Sequence, residues 1–234
     1  MENPEIEVIF ENGNILAVNK PPHMVVFSEK KEENSLIEFL IKRCPELKNI
    51  GNSPRYGIVH RLDKETSGVL LTAKNEETLN FLQKQFKTRR VIKKYVALVV
   101  GNVRENENKI ESLIGRSPKD RIKQKVYLPF SPEAKGKRTA ITRYKVTKRF
   151  SDYTLLEVIP KTGRKHQIRV HLSYIGHPIA GDKKYGFKNQ ICPIGLNRHF
   201  LHAGFLKIKL PNNKEKEFEA NLTKDLEEIL KKIN

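Results

Sequence analysis

His60-Arg61-Leu62-Asp63-Lys64-Glu65-Thr66-Ser67-Gly68-Val69-Leu70-Leu71-Thr72-Ala73 places one carboxylate in a basic, hydroxyl-rich run and follows it with an apolar segment. Val69 to Ala73 reads as a buried strand, so Asp63 lies just ahead of the core. Its neighbours Arg61 and Lys64 favour the ionised carboxylate even where it is partly desolvated, as a nucleophile or general base requires. Thr66, Ser67 and Gly68 add small groups, hydroxyls and a flexible backbone position, which lets a ligand approach closely. The same residues also suit a loop acid in an ordinary ion pair, and local chemistry leaves both readings open.

Composition narrows the partner. Among 234 residues, 45 Lys+Arg against 27 Asp+Glu leave a formal net charge of +18. A polyanion is the expected partner, nucleic acid ahead of a ribosomal or anionic membrane surface. Cys44 and Cys192 have no paired spacing, which argues against a disulfide or zinc framework and fits a reducing cytosol. Met1 to Glu7 is acidic and no apolar core of a signal peptide follows. No run approaches the roughly 18 apolar residues of a membrane span. A cytoplasmic protein with no membrane association is therefore expected.

In chain order, Ile6 to Phe10 and Ile15 to Asn19 read as two strands around a polar turn. Lys20-Pro21-Pro22 breaks the second and leaves Lys20 at a strand end, where a cation can meet phosphate. Ser35 to Arg43 is a short helix stopped before Pro45. Asn75 caps a second helix running to Lys87, with Leu79, Leu82 and Phe86 on one face. Val91 to Val100 alternates as a strand in which Lys93, Tyr95, Ala97 and Val99 point one way. Gly101 to Gly136 reads as a basic hairpin or mobile flap, which suits either an ordinary solvated loop or a contact to RNA backbone. Arg138 to Thr147, Tyr153 to Ile159 and Phe200 to Leu210 are further strands. Lys165 to Tyr174 is a helix ended by Gly176, with Ile168, Leu172 and Ile175 as its apolar face and His166, Gln167 and Arg169 facing elsewhere. His166 and His171 are five apart, off the i, i+4 geometry of a helical zinc pair, so no metal is expected. A terminal helix from about 224 to 233 packs through Leu226, Ile229, Leu230 and Ile233.

Five ordered motifs resemble the RluA-type RNA pseudouridine synthase family. HRLDKETSGVLL, residues 60–71, is similar to its signature, and Asn19-Lys20-Pro21-Pro22 to its first motif. Lys93-Lys94-Tyr95-Val96-Ala97-Leu98-Val99 is similar to its tyrosine motif. Thr162 to Leu172, running on through Gly176-His177-Pro178-Ile179 and Gly181-Asp182, resembles its third motif, and Leu201-His202-Ala203 its tail phrase. His23 stands where the family pattern has a glycine soon after the prolines.

The resemblance implies an isomerase that turns specific uridines of rRNA or tRNA into pseudouridine, with Asp63 starting cleavage of the N-glycosidic bond. It implies that Tyr95 lies against the uracil and handles the C5 proton, and that Arg169, with Arg164 as rival, is the basic partner of the acid. Arg61 is the candidate to brace the space left by an extruded nucleotide, or to hold phosphate. Lys20, His60, Lys93, Lys94, Arg164, His166 and Gln167 are expected at the RNA. No cofactor is implied, and no P-loop or dinucleotide glycine pattern is present. The family's extra N-terminal RNA-binding module is expected to be absent, and a monomer recognising an RNA stem-loop is expected. The rival reading is a non-catalytic RNA-binding or ribosome-assembly protein of the same fold. His-Arg-x-Asp also occurs in protein kinases, but their Gly-rich loop is missing, as is the G-x-S-x-G elbow of a hydrolase.

Many strands and few helices, out of strict βαβ order, predict an α+β fold with a mixed, largely antiparallel sheet flanked by helices. The resemblance makes that sheet long and bent. One domain over 1–234 is expected, its motif-bearing core at about 6–210.

Overall fold

The computed structural model describes residues 6–29 and 35–233. Most of the acidic N-terminal run, residues 1–5, lies outside them. In chain order the elements are β1 (Val8–Glu11), β2 (Ile15–Lys20), α1 (Leu36–Arg43), β3 (Ser67–Ala73), α2 (Glu76–Lys87), β4 (Ile92–Val100), β5 (Glu107–Arg116), β6 (Gln124–Tyr127), β7 (Arg138–Arg149), β8 (Tyr153–Pro160), α3 (Gln167–Tyr174), β9 (Leu201–Lys209), β10 (Glu215–Glu219) and α4 (Lys224–Lys232). The fold is α+β, its strands paired mainly antiparallel, as the sequence predicts. Residues divide into two compact units, Met1–Ile92 with Ala203–Thr223, and Lys93–His202 with Lys224–Asn234. Among the described residues no helix is long and apolar enough to cross a membrane.

The first unit is built on β3. Every residue of Ser67–Ala73 is buried, and β2 runs antiparallel beside it with Ile15 opposite Ala73 and Lys20 opposite Gly68. β1 completes that edge and β10 pairs with β9. Gly68 is required where it stands: its φ is +121°, and a side chain there would collide with the backbone of Ala203 on β9. α2 begins where Asn75 accepts a hydrogen bond from Thr78 N–H at 2.9 Å. Its Leu79 and Leu82 are buried, as are Leu36 and Leu40 of α1. Ser35 N–H donates to the Glu38 carboxylate at the start of α1.

The second unit orders its strands β4-β8-β7-β5-β6. β5 and β6 form the hairpin expected within the charged segment, with Arg116 opposite Gln124. α3 starts two residues later than the periodicity predicts, at Gln167, and Gly176 (φ +87°) closes it. Its single predicted apolar face is a correction: Gln167, Ile168, Arg169, Val170, His171 and Leu172 are all buried. α4 packs through Leu226 and Ile229 and is held by Arg198, whose guanidinium donates to both oxygens of Asp225 at 2.7 and 3.2 Å.

Candidate active site

Asp63 sits half-buried between Leu62, which is anchored in the core, and the turn into β3. Thr66 N–H donates to the Asp63 carbonyl at 3.1 Å and closes that turn. Lys20 fastens the turn from below. It has no exposed surface, and its Nζ donates to the carbonyls of Pro21 (2.6 Å), Met24 (2.8 Å) and Lys64 (3.1 Å). The phosphate contact expected of Lys20 is thus corrected: its ammonium is engaged with backbone carbonyls of two loops, one of which carries Asp63.

His60 serves the same framework. Its Nε2 accepts from Leu71 N–H at 3.1 Å, and its ring stacks on Phe86 of α2 with centroids 4.8 Å apart. Arg61 and Lys64 are the exposed residues of the signature, and the Arg61 guanidinium lies 5.3 Å from the centre of the Phe27 ring. His23 takes φ +64°, the left-handed conformation that glycine adopts most readily, and its ring meets the Glu65 carboxylate. The loop therefore keeps a glycine-like turn without the glycine.

In the second unit, Tyr95 lies half-buried on β4 opposite Val158 of β8. The two lysines before it point to opposite sides of the strand. Lys94 pairs with Glu157 at 3.1 Å. Lys93 leans over the turn into α3, its Nζ 3.9 Å from where a Cβ on Gly163 would sit. Among the described residues the Lys93 ammonium has no hydrogen bond or ion pair. Burial pushes its pKa down to about 8.

Arg169 is buried against a carboxylate that the sequence reading quoted without giving it a role. Its Nε and Nη2 donate to Asp182 at 2.7 and 2.9 Å, and its guanidinium lies 5.2 Å from the Tyr185 ring centre. Asp182 also accepts from the N–H groups of Lys184 and Tyr185. Burial alone would raise the Asp182 carboxyl; Arg169, the nearby His199 and the Lys184 N–H outweigh it and hold the pKa below its ordinary value.

Gln167 is a second correction. It is buried, with its amide nitrogen on Ile141 O and Thr142 Oγ1 and its oxygen accepting from Thr162 and Arg164 N–H. All of its polar capacity is used within the protein, so it pins the turn into α3 and leaves nothing for RNA. Arg164 Nε donates to Thr139 O at 3.0 Å. His166, also left-handed at φ +55°, meets the Tyr185 hydroxyl at 2.8 Å. His171 lies between Ser112 and Thr142 in the core, where desolvation pushes its pKa down to about 4 and keeps it neutral at pH 7. Among the described residues no three His, Cys, Asp or Glu are placed to hold a metal ion.

A basic α+β protein with an acid loop pinned from beneath is the class these features define, and comparison with known proteins says which family it belongs to. The family model of RNA pseudouridylate synthase matches residues 14–174. An uncharacterized RNA pseudouridine synthase, YlyB of Bacillus subtilis, is 38% identical over 99% of this chain and 74% of its own length. Ribosomal large subunit pseudouridine synthase D of Borreliella burgdorferi is 39% identical over 95% of this chain and 67% of its own. The solved structure of human RNA Pseudouridylate Synthase Domain Containing 4 superposes with a TM-score of 0.79 at 25% identity, covering 97% of this chain and 92% of that one. The chain belongs to the RNA pseudouridylate synthase family. It spans about two thirds to three quarters of the length of such curated relatives.

Proposed function

We propose that the protein isomerises specific uridines in RNA, with Asp63 as the residue that starts the reaction. Ribosomal RNA of the large subunit is the favoured substrate, since similar proteins from Borreliella burgdorferi and Haemophilus influenzae are named for that subunit. The observation that carries the reading is Asp63 itself: it lies within the matched segment, on a turn that a fully buried lysine holds in place. Such support fixes a carboxylate in one geometry before substrate arrives.

In the proposed reaction the N1–C1′ bond breaks, the uracil turns, and C5 bonds to C1′. The C5 proton then leaves and N1 is protonated, so product and substrate are isomers. Tyr95 is proposed to take the C5 proton directly or through water, and Arg169 to act as the basic partner of the acid. The uridine must leave its helical stack first, at a cost of a few kcal/mol. We assign the protein no cofactor and propose that it works as a cytoplasmic monomer.

The test is pseudouridine mapping in rRNA and tRNA from cells that lack the gene, complemented with intact protein or with Asp63→Asn. A site lost on deletion and restored only by intact protein establishes the activity and its target together. In vitro, Asp63→Asn is expected to lower turnover by about a thousandfold or more, with folding unchanged. Restoration of the site by Asp63→Asn would instead leave a non-catalytic RNA-binding protein.

A further inference from the structure

Arg61 does not stand alone. The guanidinium of Arg55 lies 5.2 Å from the centre of the Phe27 ring, and that of Arg61 lies 5.3 Å from the same point. The two cations are therefore no farther apart than those two distances laid end to end. Both side chains are exposed and Phe27 is half-buried. Among the described residues neither guanidinium has a carboxylate or a hydrogen-bond acceptor.

The backbone beneath them is firmly held. Arg55 N–H and Tyr56 N–H both donate to Asn52 O at 2.9 Å, and Ile58 N–H donates to Arg55 O at 3.0 Å. Ile58 in turn bridges to Thr72 of β3. On the other side, Leu62 is anchored in the core next to Arg61. Two like charges gathered on one ring repel, and an exposed cation–π contact returns only about 0.5–1 kcal/mol each. What such a pair suits is an anion with several oxygens, which planar guanidiniums engage bidentately. The site is also two residues in sequence from Asp63.

We propose that Phe27, Arg55 and Arg61 form a ledge that binds the RNA phosphodiester backbone beside the nucleotide presented to Asp63. Phe27 works as the spacer that holds both guanidiniums facing outward before RNA arrives, so little side-chain freedom is lost on binding. This assignment rests on the reading of the protein as an RNA-modifying enzyme and adds to it a backbone contact made by residues outside the signature's acid.

The test measures binding to an in vitro transcript of large-subunit ribosomal RNA across about 50–200 mM salt, where each phosphate neutralised contributes about 0.7–0.9 to the slope of log affinity against log salt. Arg55→Gln should reduce that slope by about one and weaken binding about fivefold at the middle of the range, appearing in KM rather than kcat. Arg55→Gln with Arg61→Gln should reduce it by about two. Arg55→Lys should keep the slope, because the charge remains. Phe27→Leu should keep it as well and weaken binding two- to threefold, since the charges stay but are no longer held.

An unchanged slope in Arg55→Gln overturns the proposal. So does an Arg55→Lys variant that loses as much affinity as Arg55→Gln, because that would point to stacking on a base. Thermal melting of each variant checks that the fold is intact, and both arginines are exposed enough that it should be. Pseudouridine formation by the wild-type protein on the same transcript separates the two readings. If the wild type modifies nothing, the proposed activity fails; if it modifies the transcript while Arg55→Gln keeps the full slope, only the ledge fails.

Discussion

Lys20 and Lys93 are both cations placed at strand termini, one in each unit, and the protein treats them in opposite ways. Lys20 has no exposed surface, yet three carbonyls receive its ammonium. Lys93 keeps part of its surface, and no described residue receives its ammonium at all. A buried cation with three acceptors works as a fastener, because its desolvation is offset where it sits. A half-enclosed cation without an acceptor costs stability, because nothing offsets the desolvation of its charge. Lys94, one residue further on, sharpens the contrast: Glu157 already neutralises it.

The largest effect should come from the fastener. Lys20→Met leaves three carbonyls without their donor and releases the turn under Asp63, and we expect a loss of about 3 kcal/mol in chemical denaturation. Turnover should fall with it, because the carboxylate is no longer held. A Lys20→Met protein as stable as wild type would break the comparison at its first term.

Lys93→Met should go the other way. Removing an unpaired, partly desolvated ammonium is expected to stabilise the protein by about 1–2 kcal/mol at pH 7, less than the full pKa displacement implies because the side chain retains some exposure. The sign with pH follows from the same displacement. Folded Lys93 gives up its proton near pH 8, whereas the unfolded chain keeps its proton up to the ordinary 10.5. The unfolded state therefore binds more protons between those values, and wild-type stability rises across that window while Lys93→Met shows no such rise. If a phosphate is the missing partner, wild-type RNA affinity falls as pH passes 8 and that pH dependence disappears in Lys93→Met. A variant that is neither more stable nor flat in pH would place Lys93 among ordinary surface lysines.

How much of this could be read from the chain depends on how local the cause is. β3 was legible because Val69, Leu70, Leu71 and Ala73 make a nearly unbroken apolar run and Gly68 stands just ahead of it. α2 was legible because Asn75 and the spacing of Leu79 and Leu82 act within a few residues. β10 was not: Glu215, Lys216, Glu217 and Glu219 carry no strand signal of their own, and the strand is set by its pairing with β9, Glu215 opposite Lys209 and Glu219 opposite Phe205. α3 misled for a related reason. Gln167 and Arg169 read as facing away from the apolar stripe, but Thr142 and Asp182 reach them from other elements and make their burial tolerable. The motifs located Asp63, yet the residue types alone do not distinguish Lys20 from Lys93, because what each ammonium meets depends on how the loops around it fold. Arg55 and Phe27 carried no signal either, since only the folded loops bring them to one point.

The smallest effect concerns the loop that Lys20 holds. His23 sits at φ +64° with its ring against the Glu65 carboxylate, and a polar contact this exposed returns little. A residue with a Cβ pays about 1–2 kcal/mol to sit there, and glycine does not, though glycine also gives the unfolded chain more freedom. The informative measurement is therefore the difference between His23→Gly and His23→Ala, which share the loss of the imidazole and differ chiefly in the backbone. The glycine variant should be the more stable by about 1 kcal/mol. The same pair of substitutions in a Lys20→Met background sharpens the point. If the ammonium bound to Met24 O is what holds residue 23 in the left-handed region, releasing it frees the loop to choose another conformation, and the preference for glycine should shrink toward zero. A preference that persists undiminished would mean the turn is dictated by its two prolines, and that Lys20 fastens the Asp63 side alone.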